Sequence, residues 1–481
     1  MDVVLSTTMV DADAEARLGW VPGQWAGAIA AMRSDEDDLE QRAYVPGKPL
    51  CFLHVPKTGG TSVRTIMENA FDGRRVYPSG SKARGEYHFP EVGIAAGDDM
   101  RSFLALSGHH GPSIEKYIDP DANMFTWLRD PMERLESDFF FFFVQQGARN
   151  RNPFERRISS GERIETVFMD WFEKQPVSAT AQYELLVTGR KRRSLWLSEN
   201  PGADVSAIAA ATLHRCFFVG MLEDHERSID AFCAITSILP PSQHEKRNSG
   251  SRRLQLDLSP EERGEIRARL VADFEFYETA RTLYRRQMER LAAAAEGNAV
   301  LRLIGDREGL RRHILADAAT RVASPAARWD AWDAVFGDNL HDREIATSKD
   351  APERRWRWTG PGEETSLLFR PPQRDGFRVT FELFPATPAA NIAAATLEVA
   401  GHPIRLRHEA AHGSVRVVGE VPGRIVQQNP GYLEFKLRTP VMLDEGKITP
   451  YAGTRMLGLA IESISFAPPT RPFMGWLRSW R

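Results

Sequence analysis

A lysine, two glycines and three hydroxyl residues fall within Lys57–Ser62 of the stretch HVPKTGGTS (54–62), directly after the apolar run LCFL. The order reads as a strand, a tight loop and the start of a helix. Gly59 and Gly60 would let the backbone approach an anion with no Cβ in the way. Thr61 and Ser62 would open the helix, where unpaired N–H groups and the positive dipole end favour phosphate, and Lys57 adds a point charge. A plain strand–turn–helix connection fits the same residues. The G-x-x-x-x-G-K-[ST] loop of nucleotide kinases does not, because here the lysine precedes the glycines. That departure counts against a phosphotransferase.

A second element, FTWLRDPMERLESDFFFFF (125–143), reads as a strand ending in Arg129. Asp130 then serves as N-cap, Pro131 as the first helical residue and Glu133 as the partner in a capping box. Arg129 would stand at a strand's carboxyl end, where open α/β sheets place their ligands. Ser137 follows two helical turns on. A guanidinium fork with a hydroxyl suits a phosphate monoester. Arg134 either binds anion as well or pairs with Asp130 or Glu133. ALSGHHG places His109 and His110 after another apolar run, at the same edge. Either can act as a general base near neutral pH, or simply bond a backbone carbonyl. The run Phe139–Phe143 cannot face one way on a helix, since successive residues turn by about 100°. Most of it is expected to be core, with one or two rings lining a pocket.

These residues need a frame. LCFLHV (50–55), FLALS (103–107), MFTWL (124–128) and CFFVGM (216–221) are short, bounded and almost wholly apolar. Strands covered on both faces look like this, which predicts an α/β fold: a P-loop-like parallel sheet flanked by helices. Ser259, Pro260 and Glu262 open a long helix whose Ile266, Leu270, Phe274, Tyr277, Tyr284 and Met288 fall mostly on one face. Beyond about residue 360 the period changes to two. Phe377, Val379, Phe381 and Leu383 alternate with Arg378, Thr380 and Glu382, and YLEFKL and MLGLAI repeat the pattern. That predicts a C-terminal antiparallel β-sandwich. The expected division is a lead-in over 1–47, an α/β domain over 48–297, a helical connector over 298–355 with Trp329 and Trp332, the sandwich over 356–470, and a tail over 471–481.

The 481 residues carry a net charge of −3, which argues against a bulk nucleic-acid binder, and any anion site must be local. Basic clusters at 149–157, 190–193 and 246–253 are either solvated faces or parts of such a site. Cys51, Cys216 and Cys233 form neither a disulfide framework nor a zinc site and suit a reducing compartment. No signal sequence and no apolar run of spanning length is visible, so a cytoplasmic protein without a membrane span is expected. Homo-oligomerisation stays open.

HVPKTGGTS, SGHHG and LRDPMERLESDFF together resemble the sulfotransferases that use 3′-phosphoadenosine 5′-phosphosulfate (PAPS). The branch is that of bacterial carbohydrate sulfotransferases and the heparan 2-O-sulfotransferases. FFVGMLEDHERSIDAF (217–232) and LVADFEFYETARTLY (270–284) look like the family's later strand and closing helix, so the resemblance covers about residues 48–290. It implies that Lys57, Thr58, Gly59, Gly60, Thr61 and Ser62 hold the 5′-phosphosulfate, and that Arg129 and Ser137 hold the 3′-phosphate. It implies Lys57 as the cation at the bridging oxygen and His109 as the base, with His110 second. Glu86 and His88 in KARGEYHFPE (82–91) partly echo a motif of glucosaminyl sulfotransferases, with the basic residue displaced. Glu86 is thus an alternative base or orients an acceptor hydroxyl. Gln182 is a candidate substrate contact. Arg247, Arg252 or Arg253 either reach PAPS or an acidic acceptor, or stay solvated.

RRWRWTGPGEETSLLFRPP, LEVAGHPIRLRH and RMLGLAIESISF resemble a β-sandwich module found beside bacterial glycan-processing enzymes, with Trp356 and Trp358 as either sugar-stacking platforms or part of a core or oligomer interface. The implied activity is transfer of a sulfuryl group from PAPS, without metal, to a hydroxyl of a polysaccharide or glycolipid. The alternatives are a P-loop phosphotransferase and a non-catalytic scaffold binding nucleotide and glycan. The family's Golgi members carry an N-terminal anchor that this chain lacks, which points to a bacterial enzyme and away from a heparan-like substrate.

Overall fold

The computed structural model describes residues 41–77, 101, 103–109, 111–147, 153–189, 193–242, 256–321, 327–346, 353–370, 375–411, 414–443 and 456–469. Five strands form the first sheet: β1 (Leu50–Leu53), β2 (Val76–Tyr77), β3 (Ala105–Gly108), β4 (Asn123–Leu128) and β5 (Phe218–Met221). Their spatial order is β2-β3-β1-β4-β5, and every pairing is parallel. All residues of β1, β4 and β5 are buried, as strands covered on both faces must be. The four apolar runs of the sequence land on β1, β3, β4 and β5. The two-residue β2 is too short to leave a pattern.

The chain leaves β1, crosses to β2 at the edge, returns to β3 beside β1, and then steps to β4 on the other flank. Ligands of open α/β sheets sit at such a reversal, outside the carboxyl ends of the strands. Here the loops after β3, β1 and β4 meet at that place. Helix α1 (Gly60–Ala70) follows β1 and α2 (Pro131–Gly147) follows β4. Further helices are α3 (Ile164–Lys174), α4 (Gln182–Thr188), α5 (Val205–Arg215), α6 (His225–Thr236), α7 (Pro260–Arg269) and α8 (Val271–Ala294).

The predicted Ser259–Glu262 capping box is present at the start of α7. The single long helix is not, because Leu270 (φ −106°, ψ 22°) leaves helical geometry and divides it into α7 and α8. Phe52, Phe125, Trp127, Phe218 and Phe232 fill the core around the sheet. A second cluster gathers Phe139, Phe168, Trp171, Phe172 and Leu270. Along the phenylalanine run, Phe139 is buried, Phe140 half-buried and Phe141 41% exposed, following the rotation of the helix.

The second half is a sandwich of two antiparallel sheets. Its strands are β6 (Arg328–Asp330), β7 (Phe336–Asp338), β8 (Leu340–Ala346), β9 (Arg354–Thr359), β10 (Glu364–Phe369), β11 (Gly376–Leu383), β12 (Thr396–Val399), β13 (His402–Ile404), β14 (Leu406–Ala411), β15 (Ser414–Pro422), β16 (Leu433–Arg438), a short β17–β18 ladder (Met442–Leu443 with Met456–Leu457) and β19 (Ala460–Ala467). One sheet runs β13-β12-β16-β10-β7 and the other β14-β15-β11-β19-β9-β8, with β6 also on β19. Phe377, Val379, Phe381 and Leu383 of β11 are buried, while the intervening residues are half-buried, as the alternation predicts. The stretch expected to be a helical connector divides instead. A helix covers Arg307–Arg321, but strands begin at Arg328, and Trp329 and Trp332 belong to the sandwich core. The three-residue β6 and β7 are too brief to show their period.

The two halves meet at the carboxyl end of α1. Arg343, 1% exposed, donates to the carbonyls of Phe71, Ala331 and Asp333 at 2.7, 3.2 and 3.1 Å. Arg357 donates to Asn69 Oδ1 (2.7 Å) and the His341 carbonyl (3.0 Å). The Asn69 amide in turn donates to the Gly337 carbonyl, and Val335 N–H to the Asn69 carbonyl. Two cations at the negative end of a helix are well placed electrostatically.

Candidate active site

After β1 the chain turns at Thr58, whose buried hydroxyl donates to the Val55 carbonyl at 2.8 Å. With the hydroxyl committed to the turn, any anion contact from Thr58 falls to its backbone. Lys57 adopts the left-handed conformation (φ 71°), uncommon for a residue with a side chain and a frequent mark of functional loops. Gly59 (φ 85°) is the N-cap of α1. A Cβ on Gly59 would lie 2.7 Å from Leu222 Cδ1, and one on Gly60 would collide with the His54 imidazole. Both glycines are therefore demanded by packing as well as by any ligand. Among the described residues no side chain caps the amino end of α1, and its first turn carries no acid, so its amides keep their attraction for an anion. Thr61 and Ser62 are half-buried in that turn.

The Lys57 ammonium lies 3.8 Å from the centroid of the Phe141 ring. Burial draws its pKa down to about 8; Asp138 opposes the shift, and the nearby Arg129 and Arg134 add to it. Lys57, Arg129, Arg134 and Asp138 therefore share one electrostatic neighbourhood, although they come from the loops of two adjacent strands, β1 and β4.

Arg129 stands just past the end of β4 and is 7% exposed. Its guanidinium meets Glu133 Oε2 at 3.0 and 3.3 Å. Asp130 does cap α2, accepting from Glu133 N–H at 3.1 Å. The expected capping box is only half made, however. The Glu133 carboxylate has turned to Arg129, and Asp130 N–H donates to Glu223 instead. Arg134 pairs with neither Asp130 nor Glu133. It is fully buried, lies 3.9 Å from Asp138, and donates to the carbonyls of Pro56 and Thr180. It ties the loop after β1 to α2 and is out of an anion's reach. Ser137, half-buried, follows Glu133 by one turn on the same face of α2.

Gln182 is not a substrate contact. It is wholly buried, and its amide bonds reciprocally to the Arg129 backbone, accepting from N–H at 3.0 Å and donating to C=O at 2.6 Å. Asp273 of α8 accepts from Gln182 N–H (2.6 Å) and Tyr183 N–H (3.1 Å), so it caps α4 from outside. Burial pushes the Asp273 pKa up to about 6, against the pull of Arg134 and these amides. A buried chain Asp273–Gln182–Arg129 thus fixes the end of β4.

On the other flank of β1, His109 follows the last residue of β3. Its Nδ1 lies 2.7 Å from the His54 carbonyl, and the two imidazoles stack with centroids 4.5 Å apart at 28°. A carbonyl only accepts, so Nδ1 carries a proton, and in the neutral form of the ring the lone pair is at Nε2. That is the tautomer a general base requires.

Residues 43–279 match the family model described as the sulfotransferase family. The α/β half is a sulfotransferase domain. No curated protein matches the chain. Among solved structures, an exo-beta-1,3-galactanase from Phanerochaete chrysosporium with beta-1,3-galactotriose is 14% identical, over 30% of this chain and 29% of that one. Its TM-score of 0.17 is too low for a shared fold. Among the described residues, no cluster of His, Cys, Asp and Glu is placed to hold a metal ion, and no helix is long and apolar enough to cross a membrane.

In the sulfotransferase domain, Lys57, Thr58, Gly59, Gly60, Thr61, Ser62, His109, Arg129 and Ser137 all lie at or near the carboxyl edge of β3, β1 and β4. Glu86, His88, His110, Arg247, Arg252 and Arg253 lie outside the described residues. Trp356 and Trp358 are not stacking platforms: they are 5% and 0% exposed, and Trp356 stacks on Phe384 at 3.9 Å. Sequence reasoning did not single out His54, Asp138, Asp273, or the β5–α6 connection, where Leu222 and His225 press on Gly59. Only His54 had a signal, standing two residues after Phe52 on the same face of β1.

Proposed function

We propose that the chain transfers a sulfuryl group from PAPS to a hydroxyl of a carbohydrate acceptor, a polysaccharide or glycolipid. The observation that carries this reading is the convergence of Lys57 and Arg129 on one electrostatic neighbourhood across β1 and β4. A nucleotide charged at both its 5′ and 3′ sides needs two such grips. The loop from Lys57 to Ser62 takes the 5′-phosphosulfate at the open end of α1, and Arg129 with Ser137 takes the 3′-phosphate. Arg129 is freed for that by exchanging the Glu133 carboxylate for phosphate.

His109, across β1, removes the acceptor's proton at Nε2 as the acceptor oxygen bonds to sulfur. The bond from sulfur to the bridging oxygen breaks, and Lys57 stabilises the charge that develops there. The products are the sulfate ester and adenosine 3′,5′-bisphosphate. Radiolabelled PAPS offered with a panel of glycans tests the reading. Label is expected on a glycan hydroxyl with wild type and not with Lys57→Ala or His109→Ala, while Arg129→Ala chiefly weakens nucleotide binding. Calorimetric preference for ATP over adenosine 3′,5′-bisphosphate would indicate a phosphotransferase; binding without label transfer would indicate a scaffold.

A further inference from the structure

We infer that His54 is a positioning residue that holds the His109 imidazole in register with the phosphate loop. This rests on the reading of His109 as the base. The parallel pairing of β1 with β3 sets Leu53 opposite Gly108, so His54 and His109 are the next neighbours on adjacent strands. His54 N–H donates to the Gly108 carbonyl at 3.0 Å, which carries the ladder one step beyond the strands. The His54 carbonyl then receives His109 Nδ1, and the two rings stack. The His54 carbonyl takes the His109 Nδ1 proton, and the His54 ring, stacked on the His109 ring, keeps that ring at the tilt the bond requires, so losing the side chain loosens the tautomer as well.

The same imidazole has two further neighbours. It stacks on Phe52 below it in β1, with centroids 5.1 Å apart at 15°, and its Nε2 edge occupies the space where a Cβ of Gly60 would sit. Gly60 is the first residue of α1, the point at which the loop offers its amides to an anion. One ring therefore touches the base on one side and the phosphate loop on another, and rests on the buried core through Phe52. Displacing the ring tilts His109, and adding a methyl group at Gly60 displaces the ring. A base misplaced by about an ångström loses on the order of a hundredfold in rate while substrates still bind.

The test separates turnover from binding. His54→Ala is expected to lower kcat by roughly ten- to a hundredfold, with the affinity for adenosine 3′,5′-bisphosphate unchanged. His54→Phe keeps the stack and is expected to restore most of that loss. Gly60→Ala should lower kcat in the wild-type background but cost much less on top of His54→Ala, because the colliding ring is gone. Nitrogen-15 spectra of histidine-labelled protein, with His109 assigned from His109→Gln, should show a single Nδ1–H tautomer in wild type and a mixture in His54→Ala. That spectrum stands even if PAPS is not the donor, so it isolates positioning from the functional reading. Unchanged kcat and an unchanged tautomer in His54→Ala overturn the inference. So does weakened nucleotide affinity with kcat intact, which would make His54 part of the donor's grip.

Discussion

Arg129 and Lys57 are the two cations of the proposed donor site. Arg129 is 9% exposed in its side chain and rests on Glu133, which is 56% exposed. On the proposed reading, this carboxylate, able to swing into solvent, yields the guanidinium to the 3′-phosphate. A pair with one partner open to solvent contributes about 0.2–1 kcal/mol. Glu133→Gln should therefore tighten binding of adenosine 3′,5′-bisphosphate by up to about fivefold, read by calorimetry; weaker binding would show that Glu133 helps rather than competes. Lys57, with its pKa drawn down to about 8 by burial, loses its charge as the pH rises through that value. Nucleotide affinity should accordingly fall as pH rises through about 8, and the same titration should be flat over that range in Lys57→Met.

At the scale of elements, what aims Arg129 is the buried contact between the end of β4 and the start of α4. Gln182→Ala leaves the Arg129 N–H and C=O without partners in a dry interior, at a cost of about 1–3 kcal/mol. A lower melting temperature together with weaker nucleotide binding is expected. A lower melting temperature with normal binding would show that Arg129 is held by its own strand alone. The local chemistry of these elements was legible beforehand in parts. Ser259 and Glu262 announced their capping box, and the apolar runs announced β1, β3, β4 and β5. Glu133 satisfied the same capping rule, yet its carboxylate went to Arg129. Sequence spacing cannot rank two partners that lie equally close. Gln182 was legible only as a polar residue near the site; that it faces inward, onto a backbone, depends on how α4 packs against β4.

The two halves of the molecule join through α1, whose amino end opens the candidate phosphate site and whose carboxyl end is held by Arg343, Arg357 and Asn69. Replacing Arg343 by Met leaves the buried carbonyls of Phe71 and Ala331 and the half-buried one of Asp333 short of a donor, a loss of about 1–3 kcal/mol. Calorimetric unfolding should show one transition in wild type, and in Arg343→Met a lower onset with the halves beginning to separate. A single unshifted transition would mean that the junction contributes nothing to cohesion.

The amino-acid order alone was enough to establish a parallel α/β half and a period-two sandwich, because burial on two faces and burial on one leave different periods in the chain. It also placed Lys57, His109 and Arg129 after strands, since motif and strand are continuous in sequence. Which strands are neighbours was decided only by the folded sheet. The order β3-β1-β4 brings the loops after β3 and β4, some fifty and seventy residues beyond the loop after β1, to a single edge with it. The same packing sent Trp356 and Trp358 inward, gave Arg134 to backbone carbonyls and set His54 against His109, because contacts between distant segments follow from tertiary packing, which no local spacing records.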